Sequence, residues 1–372
     1  MLEVEQAIMN RAGSFSGFVQ KKDAVCGFRD TVGRVPFYYG GNSELVAFAS
    51  HRKMLWSIGL ESLSLTPGSS VCATSKGFNV NRIAEISQPP VQQLSMADSV
   101  NSLDKLLSES VQKRVKGLTE VALGFSGGID STILGHYLRE SDVNVHLINV
   151  GVEGSKEFKA AKEAAEALNF DVTIETFSAD QVEAAVDDIL WIIEDENPVK
   201  VAVAIPLHWA AKAAAQRGAE AFFSGNGADE LLGGYHRYLG KPRDDAARMM
   251  YEDVKSSYTT NYERDYKICS QSGLDLRLPF ADPAVIDFGL SLPVEYRVPS
   301  DTAQPRKVIL RHLAKKLGLP DNVALKRKKA VQYSTGVNNV LLKVARKKGV
   351  RLTEWLSMRM DKLKREHLSV SS

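Results

Sequence analysis

The stretch Ala122-Leu123-Gly124-Phe125-Ser126-Gly127-Gly128-Ile129-Asp130-Ser131 decides how this chain is read. An apolar, strand-like run over residues 121–125 enters a glycine-rich loop. The loop enters a helical pattern over residues 132–139. That order sets backbone N–H groups at a helix N-terminus, where an anion binds well. The glycines let the backbone close on a phosphate with no Cβ in the way. Asp130 is placed to hold a Mg²⁺ beside the phosphates. The hydroxyls of Ser126 and Ser131 can donate to phosphate oxygens. The loop is neither a GxxxxGK[ST] nucleotide loop nor a GxGxxG dinucleotide fingerprint. A Gly-Gly turn with an ordinary Ser N-cap would need no ligand, but the strand–loop–helix context favours the phosphate reading.

Outward from this loop the pattern alternates. A helical spacing covers residues 98–115, with leucines at 103, 106 and 107. Strands are expected at 143–150, 171–176 and 220–224, and helices at 156–168, 181–193 and 205–216. This alternation predicts an α/β fold, a parallel sheet with helices on both faces and a helical C-terminal part. In such sheets ligands sit at the carboxyl ends of the strands. Both glycine-rich loops fall at such ends. Residues 13–80 differ: short strand-like runs are separated by turns such as Gly40-Gly41-Asn42-Ser43. The proline-bearing run Gln88-Pro89-Pro90-Val91-Gln92-Gln93 reads as the linker between the two textures. Two regions are therefore expected, residues 1–90 and residues 98–372.

The bulk numbers narrow the class. With 44% hydrophobic and 25% charged residues over 372 positions, the composition is that of a water-soluble globular protein. A net charge of +2 gives no global field toward nucleic acid or an anionic membrane. No stretch approaches the ~20 apolar residues needed to span a bilayer, and residues 1–10 lack a signal-peptide core. A cytoplasmic location is the expectation. Cys26, Cys72 and Cys269 make no CxxC pair, which argues against a zinc site or a disulfide framework and predicts three small buried hydrophobes. His208, His236 and His312 have no metal-ligand spacing, and Trp56, Trp191 and Trp209 sit in apolar contexts typical of core.

The second signal is Ser224-Gly225-Asn226-Gly227-Ala228-Asp229-Glu230-Leu231-Leu232-Gly233-Gly234-Tyr235. Two acidic residues follow a strand inside a glycine-flanked turn. Asp229 can complete Mg²⁺ coordination with Asp130; read alone, both acids are ordinary first-turn helix residues. SGGxDS resembles the pyrophosphate loop of ATP pyrophosphatases. Followed by SGNGADELLGGYHRY, it resembles the synthetase domain of asparagine synthetases. Leu276 to Asp282 (LRLPFAD), Arg306 to Arg311 (RKVILR) and Arg327 to Tyr333 (RKKAVQY) match later motifs of that family in the same order. The resemblance covers about residues 98–340 and implies ATP, Mg²⁺, aspartate and ammonia as ligands. It implies that Ser126, Gly127, Gly128, Asp130, Ser131, Ser224 and Gly225 hold ATP, with Val150 and Gly151 near adenine. It implies Asp130 and Asp229 as metal ligands, and Glu230 and Arg264 as aspartate-gripping residues. Lys307 and Lys329 would stabilise charge during adenylation. An extra residue near Val331 leaves Lys328 as the alternative to Lys329. Asn226 departs from the family, many of whose members carry a glutamate there, and asparagine cannot be a general base. Either another group manages the proton of the nucleophile or the carboxylate substrate differs.

Residues 14–19, 27–40, 47–50 and 65–68 resemble the later half of a class II glutaminase domain. Such glutaminases use an N-terminal cysteine as nucleophile and base. This chain begins Met1-Leu2, so the resemblance implies a truncated glutaminase-like β region without intrinsic glutaminase activity. A half-sandwich would expose an apolar face, suited to a separate glutaminase-half subunit or a homodimer contact. From Arg306 to Arg365 there are eighteen Lys or Arg against three Asp or Glu. This reads as a solvated helical surface plus phosphate-directed lysines rather than a nucleic-acid interface, because no RNA-binding motif accompanies it. The expected activity is an AMP-forming, asparagine synthase-like amide ligase. Two alternatives remain open: a related ligase on another carboxylate, and a non-catalytic ATP-binding subunit.

Overall fold

The computed structural model describes residues 2–9, 13–21, 24–74, 77–155, 157–325 and 335–368. After a helix at Leu2–Met9, the N-terminal region builds two antiparallel sheets. Strands β1 (Ser16–Lys21), β2 (Ala24–Arg29), β3 (Tyr38–Gly41), β4 (Val46–Ala49), β5 (Leu63–Ser64), β6 (Ser69–Thr74) and β7 (Gly77–Arg82) follow in turn. The sheet orders are β1-β2-β6-β7 and β4-β3-β5. The turn after β3 forms as expected: the Asn42 side-chain oxygen accepts from the N–H groups of Glu44 and Leu45, both at 2.9 Å. Phe37, Leu65 and Val71 are the core between the sheets, with Tyr39, Phe48 and Phe78 packed on them. A Cβ at residue 27 would lie 2.2 Å from the Phe37 ring, so Gly27 is a packing requirement. Phe18, Leu63 and Val80 remain exposed.

One expectation fails here. Cys26 and Cys72 are not two separate buried hydrophobes; they are joined in a disulfide. They lie directly opposite each other on β2 and β6, a register that sequence separation conceals. Only Cys269 behaves as expected, fully buried, with burial pushing its thiol pKa up.

The second region holds the parallel sheet. Strands β8 (Glu120–Gly124), β9 (Asn144–Val152), β10 (Val172–Phe177), β11 (Ala221–Phe223) and β12 (Asp275–Arg277) run in the order β10-β9-β8-β11-β12, every pair parallel. Alternate residues face opposite layers, as the strand period requires. Val121 and Leu123 join the core built with Leu103, Leu107, Val111, Ile133 and Leu134. Ala122 and Phe222 join the other, with Ile189, Leu190, Ile205 and Ala211. Phe222 and Phe223 are both fully buried, each contributing about 1.5–3 kcal/mol of hydrophobic stabilisation. The expected helix at 205–216 starts earlier, as Pro198–Gln216. Asn197 caps its first turn and Pro198 suits the first helical position, and Pro206 lies inside the helix. The expected helix at 181–193 is two, Ala179–Ala184 and Val186–Ile193. The C-terminal tail forms Val337–Lys347 and Leu352–Leu368. No described helix is long and apolar enough to cross a membrane.

Buried charges join the two regions. Glu263 accepts from Tyr38 Oη at 2.7 Å, Arg29 at 3.1 Å and Ser64 Oγ at 2.9 Å. Glu194 accepts from the Arg52 N–H at 2.7 Å and from Lys267 Nζ at 2.7 Å. Burial pushes the Glu263 carboxyl pKa up, but Arg29 and the hydrogen bonds from Tyr38 and Ser64 outweigh it, and the net shift is downward. A depressed carboxylate contributes stability above its unfolded pKa and loses it as pH falls through the folded value. Glu263→Gln leaves the Arg29 guanidinium, which has no exposed side-chain area, without its counter-charge. The expected cost is about 3–5 kcal/mol in urea unfolding at pH 7. The gap from the parent should narrow in the acid range, where the parent loses the same charge. A gap absent at pH 7, or one unchanged by acid, would refute the role assigned to this pair.

Candidate active site

The first glycine-rich loop leaves β8 and starts the helix Ile129–Arg139. Gly127 has φ +62, and a Cβ there would lie 2.5 Å from the Ala160 carbonyl oxygen. Only glycine meets both conditions without strain. The helix N-cap is Gly128, which offers no side-chain cap to the first-turn N–H groups. Ser126 Oγ accepts from the Gly128 N–H at 3.3 Å and lies 3.4 Å from Ser131 Oγ. The two hydroxyls therefore sit together at the mouth of an uncapped helix, a geometry suited to an anion.

The second loop leaves β11, the strand next to β8. Ser224 and Gly225 follow it, and a Cβ at residue 225 would lie 2.9 Å from the Asp130 Cβ. This lack of a side chain lets the two loops meet. Asp229 lies in the first turn of the short helix Ala228–Leu231. Lys307 reaches both acids: its Nζ is 2.6 and 2.5 Å from the two Asp130 carboxylate oxygens and 2.7 Å from Asp229 Oδ1. Lys307 is 1% exposed and has a left-handed backbone, φ 63 and ψ 51. Arg306 and Arg311 flank it. Burial lowers the pKa of both against the opposing pull of Asp229 and Asp130 respectively, Arg311 to about 10.

Beyond Asp229 the loop enters a polar network. Glu230 is buried and accepts from Asn261 Nδ2 at 2.7 Å and from the Tyr235 hydroxyl. Asn261 Oδ1 in turn accepts from Arg264 at 3.4 Å, so one residue bridges Glu230 and Arg264. Arg264 donates from Nε to Asp265 Oδ1 at 2.7 Å. The other Asp265 oxygen accepts from Asn226 Nδ2 at 2.5 Å. Asn226 Oδ1 holds the Gly227 N–H at 2.9 Å. Sequence reasoning missed Asn261 and Asp265. Their one signal was position: with Arg264 they fall at i, i+3 and i+4, one face of a helix.

Val150 and Gly151 lie at the carboxyl end of β9, beside β8. Gly151 is packed under the Phe158 ring, where a Cβ would lie at 3.1 Å. Val152 N–H donates to the Thr335 carbonyl at 2.9 Å. The two candidate late lysines, Lys328 and Lys329, lie outside the described residues. The pair Asp130–Asp229 suits a hard divalent cation: two carboxylates converge on one point, which the Lys307 ammonium marks. Among the described residues no group of three or more His, Cys, Asp or Glu is placed to hold a metal. A magnesium ion here would therefore take most of its oxygen ligands from phosphates and water.

The asparagine synthase family model matches residues 102–243 and 239–354. A putative glutamine-hydrolysing asparagine synthetase of Methanocaldococcus jannaschii is 30% identical over 94% of this chain and 74% of its own length. A glutamine-hydrolysing asparagine synthetase of Sandersonia aurantiaca is 25% identical over 83% of this chain, which spans 61% of that relative. Among solved structures, NMN synthetase from Francisella tularensis aligns with 75% of this chain and 95% of its own at 14% identity, with a TM-score of 0.36.

The Asn226–Asp265 contact makes a test of charge placement. Asn226→Asp would set a second carboxylate at contact distance from the buried Asp265. Two carboxylates that close share a proton, so the pair's pKa rises on folding. The variant should lose about 1–3 kcal/mol of stability at neutral pH. Because a raised folded pKa stabilises only at low pH, that loss should shrink toward pH 5 and grow toward pH 8. The exchange Asn226→Asp with Asp265→Asn should recover most of it. Urea unfolding across pH checks both; equal stability of the single and double variants would remove the contact from the account.

Proposed function

The chain belongs to the asparagine synthase family, and from that premise we propose that it is an ATP-dependent carbon–nitrogen ligase that makes asparagine from aspartate and ammonia. The observation that carries this reading is the convergence of Asp130, Asp229 and Lys307 beside an uncapped helix N-terminus. The aspartate side-chain carboxylate attacks the α-phosphorus of ATP, and pyrophosphate leaves with the electron pair of the broken P–O bond. Ammonia then attacks the acyl carbon of β-aspartyl-AMP, AMP leaves, and the nitrogen gives up a proton.

Each residue has a part in that sequence. The N–H groups and hydroxyls of Ser126, Gly127, Gly128 and Ser131 hold the phosphates, with Ser224 and Gly225 closing the opposite side. Val150 and Gly151 border the adenine. Magnesium, held by Asp130 and Asp229, would neutralise phosphate charge when bound. Lys307, with Lys329 or Lys328 from the later motif, stabilises charge on the departing pyrophosphate. Glu230 and Arg264, fixed together by Asn261, orient aspartate. Asp265 is the carboxylate nearest Asn226 and is the base we assign to the nucleophile's proton.

Nitrogen comes from free ammonia or from a separate glutaminase subunit docked on residues 1–90. Cys26 is bound to Cys72 and offers no thiol for glutamine. A second reading, amidation of another carboxylate, is favoured by the Asn226–Asp265 arrangement, since Asp265 is held by Arg264, a residue we assign to the carboxylate substrate.

The deciding assay is AMP and pyrophosphate release from Mg-ATP with aspartate, with ammonium or glutamine as nitrogen source. Ammonium-dependent asparagine formation without glutamine use is the expected result. Asp130→Ala should lower pyrophosphate release roughly a hundredfold or more with the fold intact. Release that needs a different carboxylate would transfer the assignment to the second reading, and no release with any carboxylate would overturn ligase activity.

A further inference from the structure

We infer that Lys307 is a resident counter-cation that keeps the Asp130–Asp229 pair closed to divalent metal until a triphosphate arrives. The inference rests on the metal reading proposed above and adds its control. The Lys307 ammonium lies within 2.7 Å of both acids, on the point where their carboxylates converge. An ammonium and a divalent cation cannot share that point, because like charges at contact distance repel strongly where water is scarce. Metal entry therefore requires Lys307 to leave.

Three features show a lysine held there by the fold. The side chain is 1% exposed, so it has no solvated resting place of its own. Its backbone occupies the left-handed region, which an ordinary side chain adopts only when its surroundings impose it. Gly234 leaves the space it needs: a Cβ there would lie 2.5 Å from Lys307 Cε and 1.7 Å from Asp229 Oδ1. The guanidinium of the adjoining Arg306 donates to the Gly234 carbonyl at 2.6 Å and holds that close approach.

The donor count explains why the triphosphate releases it. Two carboxylates are fewer than a magnesium ion requires, and among the described residues no third acid, histidine or cysteine completes a set. A metal without nucleotide would displace the lysine in exchange for two ligands. With nucleotide, phosphate oxygens supply further ligands and also give the displaced ammonium a new anionic partner. Metal and nucleotide then each raise the affinity of the other, a reciprocal coupling between two ligands of one site. In the free protein the ammonium offsets one of the two negative charges and fills the place a metal would take, so the pair does not collect metal that would meet no substrate.

The test is direct binding of Mn²⁺, read by electron paramagnetic resonance, with and without a non-hydrolysable ATP analogue. Lys307→Met removes the charge and keeps most of the stem. Lys307→Gln, which keeps a donor between the carboxylates, serves where the methionine variant does not fold. Without nucleotide, either variant should bind Mn²⁺ about tenfold or more tightly than the parent. The added analogue should close most of that gap, and Asp130→Asn in the Lys307→Gln background should abolish the tight site. Parent and variants binding Mn²⁺ equally without nucleotide would overturn the counter-cation role while leaving the metal site standing. No Mn²⁺ bound by any form, even with the analogue, would overturn the metal reading beneath it.

Discussion

The site depends on one electrostatic fact: two carboxylates, from the loops that follow adjacent parallel strands, point at the same place. β8 delivers Asp130 and β11 delivers Asp229, and these strands are paired in register. Two like charges aimed at one point would repel and push the loops apart. A cation between them is therefore a structural requirement, and Lys307 meets it in the free protein. Much of the surrounding covalent detail follows. Gly225 lets the second loop rest against Asp130, Gly234 clears room for the lysine stem, and the left-handed backbone at Lys307 turns that stem inward.

The same constraint reaches the N-terminal region through the helix Glu263–Gln271. A π-helical turn, Tyr258–Tyr262, precedes that helix and sets its phase. Such turns break the regular spacing and often lie next to functional sites. Its consequence is a division of charged residues by face. Glu263 and Lys267, four apart, both meet Tyr38: the glutamate through a hydrogen bond and the lysine over the ring at 4.8 Å. Arg264 and Asp265 face the site, against Asn261 and Asn226. One turn of helix is thus the shared wall between the β-rich region and the candidate active site. Burying four charges in five positions is tolerable only because each has a partner of opposite charge or a hydrogen bond.

Legibility from the sequence followed the range of the forces involved. Local signals were readable: the glycine loop after β8, the period-two burial of Val121, Ala122 and Leu123, and the helix over residues 98–115, observed as Met96–Val115. Relations that need a register were not. Cys26 and Cys72 carry no local sign of pairing, because only the alignment of β2 with β6 sets them opposite each other. The helix expected from residue 205 begins at Pro198, where Asn197 caps its first turn, a start that the apolar spacing alone did not mark. At the site, a motif named Asp130, Asp229 and Lys307 one by one. Their meeting is a tertiary fact, since Lys307 lies 177 positions from Asp130 along the chain.

Asn226 shows how the two levels combine. Taken alone, an asparagine in a loop that carries acids looks like the loss of a functional carboxylate. In the fold its amide nitrogen contacts Asp265, and Arg264 holds the other oxygen of that acid. A glutamate or aspartate at 226 would meet Asp265 at contact distance, and one of the two would have to stay protonated at neutral pH. The local charge is therefore carried by the pair and not by the loop position: a carboxylate at 265 calls for a neutral donor at 226. Read this way, the departure at 226 is what the neighbouring helix demands, and the site keeps a negative group at that wall from a residue no loop motif contains.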